Sequence, residues 1–269
     1  MASCFVDTVH TAGFQMEYAC FGEGGTPLVV IPGLTIKSVI KSANALEGPF
    51  KVFREHYKLY FFDRKKEAEP GYSLPQMAED QVAALKALGI EKACVYGVSQ
   101  GGMIAQYMAI RHPEVVKKLV LGSSTSRAEP LQLKTIGHWA RLARAHDAPA
   151  LVNSFIEDCF SESFAARYRR ALLALYKEVS VEELERFALF ADACDFVNTY
   201  DDLGKIKCPT LVLGAGKDRV TTPEASIKLA EKLKSEGVPC ESYMYEGCGH
   251  AVFDELTEYK KRIFEFLQR

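Results

Sequence analysis

The sequence predicts an α/β protein: a mostly parallel sheet with helices on both faces and one all-helical insertion. Three observations predict it. Apolar, β-rich runs alternate with helical patterns in the first half of the 269 residues and again at the end. The rhythm stops between about residues 124 and 200, where no convincing strand can be read. Finally, Gly97-Val98-Ser99-Gln100-Gly101 lies between a strand pattern and a helix pattern.

Taken in order, residues 14–21 and 27–31 read as strands divided by the turn Gly22-Glu23-Gly24-Gly25. A helix is expected between residues 36 and 55. Residues 57–62 (YKLYFF) form a β-rich run ending at Asp63. Ser73-Leu74-Pro75-Gln76 is a capping box that opens a helix closing at Gly89. Residues 91–96 read as a buried strand leading into Gly97, and residues 103–110 as a helix ended by Arg111-His112-Pro113. Residues 117–121 form another strand. Within the helical stretch, Ser180 to Glu183 is a second capping box, and Val181, Leu184, Ala188 and Ala191 recur at helical spacing. Strands resume at residues 208–213 and 240–245, separated by a helix from Thr222-Pro223 to Gly237. A last helix carries Leu256, Tyr259, Ile263 and Leu267 on one side. The expected division is a core at 1–124 and 204–269, with a helical cap at 125–203 over the carboxyl edge of the sheet, where ligands bind in open α/β sheets.

Composition excludes several classes. Net charge is −2 with 25% charged residues, which leaves no footprint for nucleic acid or a membrane surface. No window holds the roughly 18 apolar residues of a membrane-spanning helix. The N-terminal residues have no basic run and no long apolar run, so no signal peptide is expected. The eight cysteines include no C-x-x-C and read as reduced thiols of a cytoplasmic protein.

The pattern G-x-S-x-G at 97–101 is that of a nucleophile elbow. A serine hydroxyl is a weak nucleophile unless a sharp turn holds it beside a base and beside backbone N–H donors. By chance the pattern occurs in about one chain in ten of this length, so its strand and helix flanks carry the inference. The base should follow an acid, in the chain order Ser, Asp or Glu, His. His250, in the glycine-rich loop after the last strand, fits the base; a solvent-facing loop histidine is the plain alternative. Asp218 follows the penultimate strand and fits the acid, against a turn or cap aspartate. Asp192, Asp195, Asp201 and Asp202 precede that strand and belong to the cap or its return. His112 is expected to serve the carbonyls that end its helix. The oxyanion donors are expected to be the backbone N–H groups of Gln100 and Leu34, because Gly33 lets the loop turn inward. Trp139 is a candidate pocket residue, with packing inside the cap as the alternative. Cap arginines 141, 144, 167, 169 and 170 read as solvated faces, with an anionic substrate as the sharper alternative.

With these pieces the chain resembles the α/β-hydrolase superfamily, in its small capped form that includes enol-lactonases, carboxylesterases and C–C bond hydrolases. The resemblance rests on GVSQGG (97–102), LVLGAGKD (211–218) and GCGH (247–250) and covers nearly everything outside the cap. Pro32-Gly33 departs from the His-Gly pair of many such proteins. The resemblance implies a cofactor-independent serine hydrolase acting on a small or medium acyl compound: an ester, thioester or lactone. Cleavage of a C–C bond beside a ketone and ligand binding without turnover are the alternatives. Gly214-Ala215-Gly216 lacks the third glycine of a dinucleotide fingerprint, and neither H-E-x-x-H nor G-x-x-x-x-G-K-[ST] occurs, so neither cofactor nor metal is expected.

Overall fold

The computed structural model describes residues 4–269. Eight strands form one sheet: β1 (Phe5–His10), β2 (Gln15–Phe21), β3 (Thr26–Ile31), β4 (Tyr57–Phe62), β5 (Ala93–Val98), β6 (Val116–Gly122), β7 (Thr210–Ala215) and β8 (Cys240–Tyr245). Their spatial order is β1-β2-β4-β3-β5-β6-β7-β8. β2 runs antiparallel to β1 and β4, and every other pair is parallel. The carboxyl ends of β3 to β8 therefore share one edge. That edge is where the loops beginning at Pro32, Asp63, Ser99, Ser123, Gly216 and Glu246 emerge.

Alternation along the strands sends side chains to two apolar layers. In β5, Val95 joins the larger layer, while Cys94, Tyr96 and Val98 join the smaller. Of the helices, α1 (Ala43–Leu46) and α10 (Thr257–Gln268) contribute to the smaller layer. α2 (Leu74–Ala87), α3 (Gln100–Arg111) and α8 (Pro223–Ser235) contribute to the larger one. The sheet is thus buried on both faces, as expected for parallel strands. Between β6 and β7 lie four helices, α4 (Pro130–Arg144), α5 (Ala148–Cys159), α6 (Glu162–Leu175) and α7 (Val181–Cys194), whose buried residues continue the larger layer. A short helix α9 (Val252–Glu255) precedes α10. The neck of the insertion is tied by an antiparallel bridge between Arg127 and Asn198.

The two capping boxes form as read, with Ser73 and Gln76 at α2 and Ser180 and Glu183 at α7 bonding reciprocally. Two expectations need correction. The helix expected across 36–55 is a 3-10 turn (Val39–Ser42), the four-residue α1 and another 3-10 turn (Lys51–Phe53). Gly48-Pro49 breaks it, since proline removes a donor and restricts the residue before it. β1 was not expected. It is an edge strand with Phe5, Val6 and Asp7 exposed, so it carries little of the burial pattern that reveals strands.

All eight cysteines are free. Burial pushes the thiols of Cys20, Cys208 and Cys240 up to about 11 and that of Cys194 up to about 12. Among the described residues no helix is long and apolar enough to cross a membrane.

Candidate active site

Ser99 stands between β5 and α3 with φ 51° and ψ −119°, a left-handed conformation that costs a non-glycine residue strain. The sheet supplies the restraint. Ser99 N–H donates to the Gly122 carbonyl at 2.8 Å, and the Ser99 carbonyl accepts from Gly102 N–H, Met103 N–H and Ser124 Oγ. Glycine is required on both sides. A Cβ at Gly97 would lie 2.3 Å from the Gly101 carbonyl oxygen, and one at Gly101 would lie 2.0 Å from that of Ile31. Strand, turn and helix can close this tightly because those positions have no side chain.

Asp218 follows β7 and is buried. Its Oδ1 accepts the N–H groups of Val220 (2.8 Å) and Thr221 (2.9 Å), and its Oδ2 accepts Thr221 Oγ1 (2.9 Å). His250 Nδ1 lies 2.8 Å from the same Oδ2. Burial alone would raise the Asp218 carboxyl. The charge of His250 when protonated and its hydrogen bond, with the Val220 and Thr221 N–H groups, outweigh it and hold Asp218 below its ordinary value. With Nδ1 donating to the carboxylate, Nε2 keeps the lone pair and can accept a proton.

The end of β6 binds both sides together. Gly122 holds Ser99 N–H, Ser124 holds the Ser99 carbonyl, and Ser123 Oγ donates to the His250 carbonyl at 2.8 Å. Ser123 itself has φ 42°. Ser99, Asp218 and His250 are 8%, 4% and 4% exposed, so the site is enclosed. The N–H groups of Leu34 and Gln100 have no acceptor among the described residues. Gln100 is the first residue of α3, where no preceding turn can accept its N–H. Position 33 lies against the serine: a Cβ there would be 3.2 Å from Ser99 Cβ.

The insertion reaches this site at two places. On one side, Gln100 Nε2 donates to the Phe190 carbonyl of α7 at 2.6 Å. On the other, Ala251 N–H donates to the Cys159 carbonyl at 2.7 Å, and Glu255 accepts Ser161 N–H, Ser161 Oγ and Gly249 N–H. Arg219, beside Asp218, donates to the Glu157 carbonyl at 2.7 Å.

Other expected residues settle as follows. Trp139 is buried within the insertion, its ring 4.8 Å from that of Phe155 and its Nε1 donating to Asp158 Oδ2 at 2.9 Å. Arginines 141, 144, 167, 169 and 170 are exposed. His112 does not serve helix carbonyls: its Nε2 is 2.8 Å from Glu79 Oε2, because α2 packs beside α3 and presents that carboxylate. Arg64, Ser123, Ser124, Thr221 and Glu255 went unread. For Ser123-Ser124 the available signal was a pair of hydroxyls directly after an apolar strand. A cavity of about 250 Å³ lies elsewhere, lined by Ser126, Arg127, Glu129, Tyr200 and Lys228 among others, and by none of the three site residues.

A parallel sheet with a left-handed serine between β5 and α3, and an Asp–His pair at the same edge, invites comparison with known folds. A model of the alpha/beta hydrolase fold family matches residues 27–256. This chain belongs to that family. Curated proteins it resembles include a 2-hydroxymuconate semialdehyde hydrolase of Pseudomonas putida, 25% identical over 75% of this chain and 71% of that protein. Another is a 3-oxoadipate enol-lactonase of Acinetobacter baylyi, 22% identical over 81% of both chains. Among solved alpha/beta hydrolase structures, an enol-lactonase from Burkholderia xenovorans superposes with a TM-score of 0.84 at 20% identity, covering 98% of this chain and 100% of its own. Family membership and these names support a hydrolase; the structural likeness at that identity speaks for the fold.

Proposed function

We propose that this chain is a cofactor-independent serine hydrolase that cleaves an ester, thioester or lactone of a small or medium acyl compound through an acyl-enzyme. The observation that carries the reading is the strained Ser99 on the same sheet edge as a buried His250–Asp218 pair 2.8 Å apart. In this mechanism His250 Nε2 takes the Ser99 proton as Oγ attacks the acyl carbon. The free N–H groups of Leu34 and Gln100 receive the oxyanion. The tetrahedral adduct collapses, the leaving group takes the proton from His250, and a water activated by His250 then releases the acid. Asp218 fixes the imidazole tautomer and stabilises its charged form. The eight free thiols support a reducing, cytoplasmic setting for this chemistry.

A second reading is favoured by the semialdehyde hydrolase among the relatives. Cleavage of a C–C bond beside a ketone would use the same three residues. Parallel assays of p-nitrophenyl esters and vinylogous diketones separate the two.

The nucleophile is tested by fluorophosphonate labelling with peptide mapping, and by Ser99→Ala. Labelling should map to Ser99, and the variant should lose on the order of a million-fold in turnover while unfolding at an unchanged temperature. A tenth of the activity remaining in a folded Ser99→Ala would overturn the reading.

A further inference from the structure

Arg64 directly follows Asp63 at the end of β4 and is 3% exposed. A buried guanidinium normally faces a carboxylate. Among the described residues no carboxylate pairs with this one. Asp63 Oδ1 instead accepts the backbone N–H of Arg64 at 2.7 Å and Arg186 Nη2 at 3.0 Å. The Arg64 side chain turns to neutral oxygens. Its Nη2 donates to the Pro32 carbonyl at 2.8 Å, the Gly33 carbonyl at 3.3 Å and Gln100 Oε1 at 2.8 Å, while its buried Nε has no partner. Burial pushes the guanidinium down to about 10, so it is charged at neutral pH.

These acceptors have one thing in common. Pro32 and Gly33 form the loop that presents Leu34 N–H, and Gln100 bears the second donor. The Gly33 carbonyl and Leu34 N–H are two ends of one peptide unit. A cation on the oxygen end fixes the peptide plane and draws electron density from the nitrogen, which strengthens the N–H as a donor. No carboxylate is hydrogen-bonded to the guanidinium, although Asp63 stabilises its charge from further away, so its direct bonds act on the peptide and amide oxygens. The other arm is held the same way: Gln100 Oε1 accepts from Arg64 while Gln100 Nε2 is anchored on Phe190.

We infer that Arg64 is the positioning residue of the oxyanion hole, locking and polarising the Gly33–Leu34 peptide and joining it to Gln100. The inference rests on the serine hydrolase reading. It makes Arg64 act through two backbone donors, without touching substrate.

The test compares wild type with Arg64→Met, which keeps bulk without charge, and Arg64→Lys, which keeps charge without the fork. Each is assayed on p-nitrophenyl esters and on a boronic acid that forms a tetrahedral adduct with the serine. Active sites are counted by fluorophosphonate titration. For Arg64→Met, kcat per titrated site should fall about ten- to hundred-fold with KM within about two-fold, and boronate affinity should fall in parallel with kcat. Arg64→Lys should recover part of the loss, as should millimolar guanidinium added to Arg64→Ala. A kcat per titrated site equal to wild type in the folded variants, whatever their unfolding temperature, overturns the inference, because a purely structural arginine changes only how many sites are competent. If wild type itself is not labelled at Ser99, the hydrolase reading fails first, and independently of Arg64.

Discussion

The two ends of the candidate site, Ser99 and the His250 loop, are held by different parts of the molecule. Ser99 is held by the sheet: its N–H bonds to β6, its carbonyl to Ser124 and the start of α3, and the glycines beside it meet backbone of β3 and α3. The His250 loop is held on one side by Ser123 and on the other by the insertion. Its Ala251 N–H bonds to Cys159, and Gly249 lies against Phe160 and Ser161, where a Cβ would come within 2.7 Å of backbone. Closing Gly97 on Gly101 takes a steric fit that has no second arrangement, and such contacts are rigid. The His250 loop is instead held through hydrogen bonds to Cys159, at the end of α5, and to Ser161 just beyond it. Ser99 is therefore held by the sheet alone, and the placement of the His250 loop is shared between the sheet and the insertion.

The sharpest way to test this division is at Asp218, the proposed acid, whose neighbour Arg219 bonds to Glu157 of the insertion. Asp218→Asn keeps an oxygen for the Val220 and Thr221 N–H groups, so its amide NH2 must face His250 Nδ1. That reverses the polarity of the bond and leaves the proton on Nε2, which can no longer accept from serine. Turnover should fall on the order of ten-thousand-fold. Asp192 is half exposed and pairs with Arg144, and Asp195 is exposed at the end of α7. Asp192→Asn and Asp195→Asn should leave ester hydrolysis within about three-fold of wild type, as surface changes usually do. If one of these is the inactive variant and Asp218→Asn retains activity, the acid belongs to the insertion and the division is wrong.

A smaller effect is expected where the insertion grips the base. Glu255 Oε2 accepts Ser161 Oγ at 2.6 Å, and Glu255 Oε1 accepts the N–H groups of Ser161 and Gly249. Hydrogen bonds to a charged group are worth about 1.5–3 kcal/mol, so Ser161→Ala and Glu255→Gln should each lower kcat/KM about ten-fold or more. The fluorophosphonate labelling rate should fall with it, because His250 drives both reactions. The same loss should lower the unfolding temperature by several degrees, about 2–4 °C per kcal/mol, so rates are compared well below that temperature. Unchanged labelling in both variants would show that the Ser161–Glu255 contact does not set the placement of His250.

The same division explains what was legible. The elbow is written in five consecutive residues because its constraint is local: Gly97 and Gly101 serve Ser99 across one turn. The pairing of Asp218 with His250 was foreseeable because each follows a β-rich run at the same sheet edge, and chain order narrows the choice. Arg64 could not, since its meaning comes from carbonyls at Pro32 and Gly33 and an amide at Gln100, brought to it by parallel pairing of β4, β3 and β5. Nor could Glu255, whose partner Ser161 is 94 residues away. β1 escaped because an exposed edge strand shows little periodic burial, and no single helix spans 36–55 because Gly48-Pro49 breaks the segment.

The smallest effect on the chemistry is expected deep in the insertion. Trp139 packs on Phe155, whose ring also meets those of Tyr176 and Phe187, and its one polar atom is engaged by Asp158. Removing so large a buried ring should cost stability, about 3–5 kcal/mol by analogy with other aromatic truncations. The effect on the site should come through the shape of the cover. Trp139→Ala should change the preference between short and long acyl chains by about ten-fold, since one methylene in an apolar pocket is worth roughly 1–3 kcal/mol. Trp139→Phe keeps a ring against Phe155, loses the Asp158 bond and leaves a smaller gap than alanine, so it should stay nearer the wild-type profile and lose less stability. The rate of Ser99 labelling should change less than the profile in either variant, because neither touches the Cys159–Ser161 segment that grips the His250 loop. The measurement is a chain-length series of p-nitrophenyl esters with a labelling rate for each variant. A profile that stays flat while stability falls would confine Trp139 to packing within the insertion. Labelling that collapses instead would mean that the α4–α5 contact also carries the placement of the base.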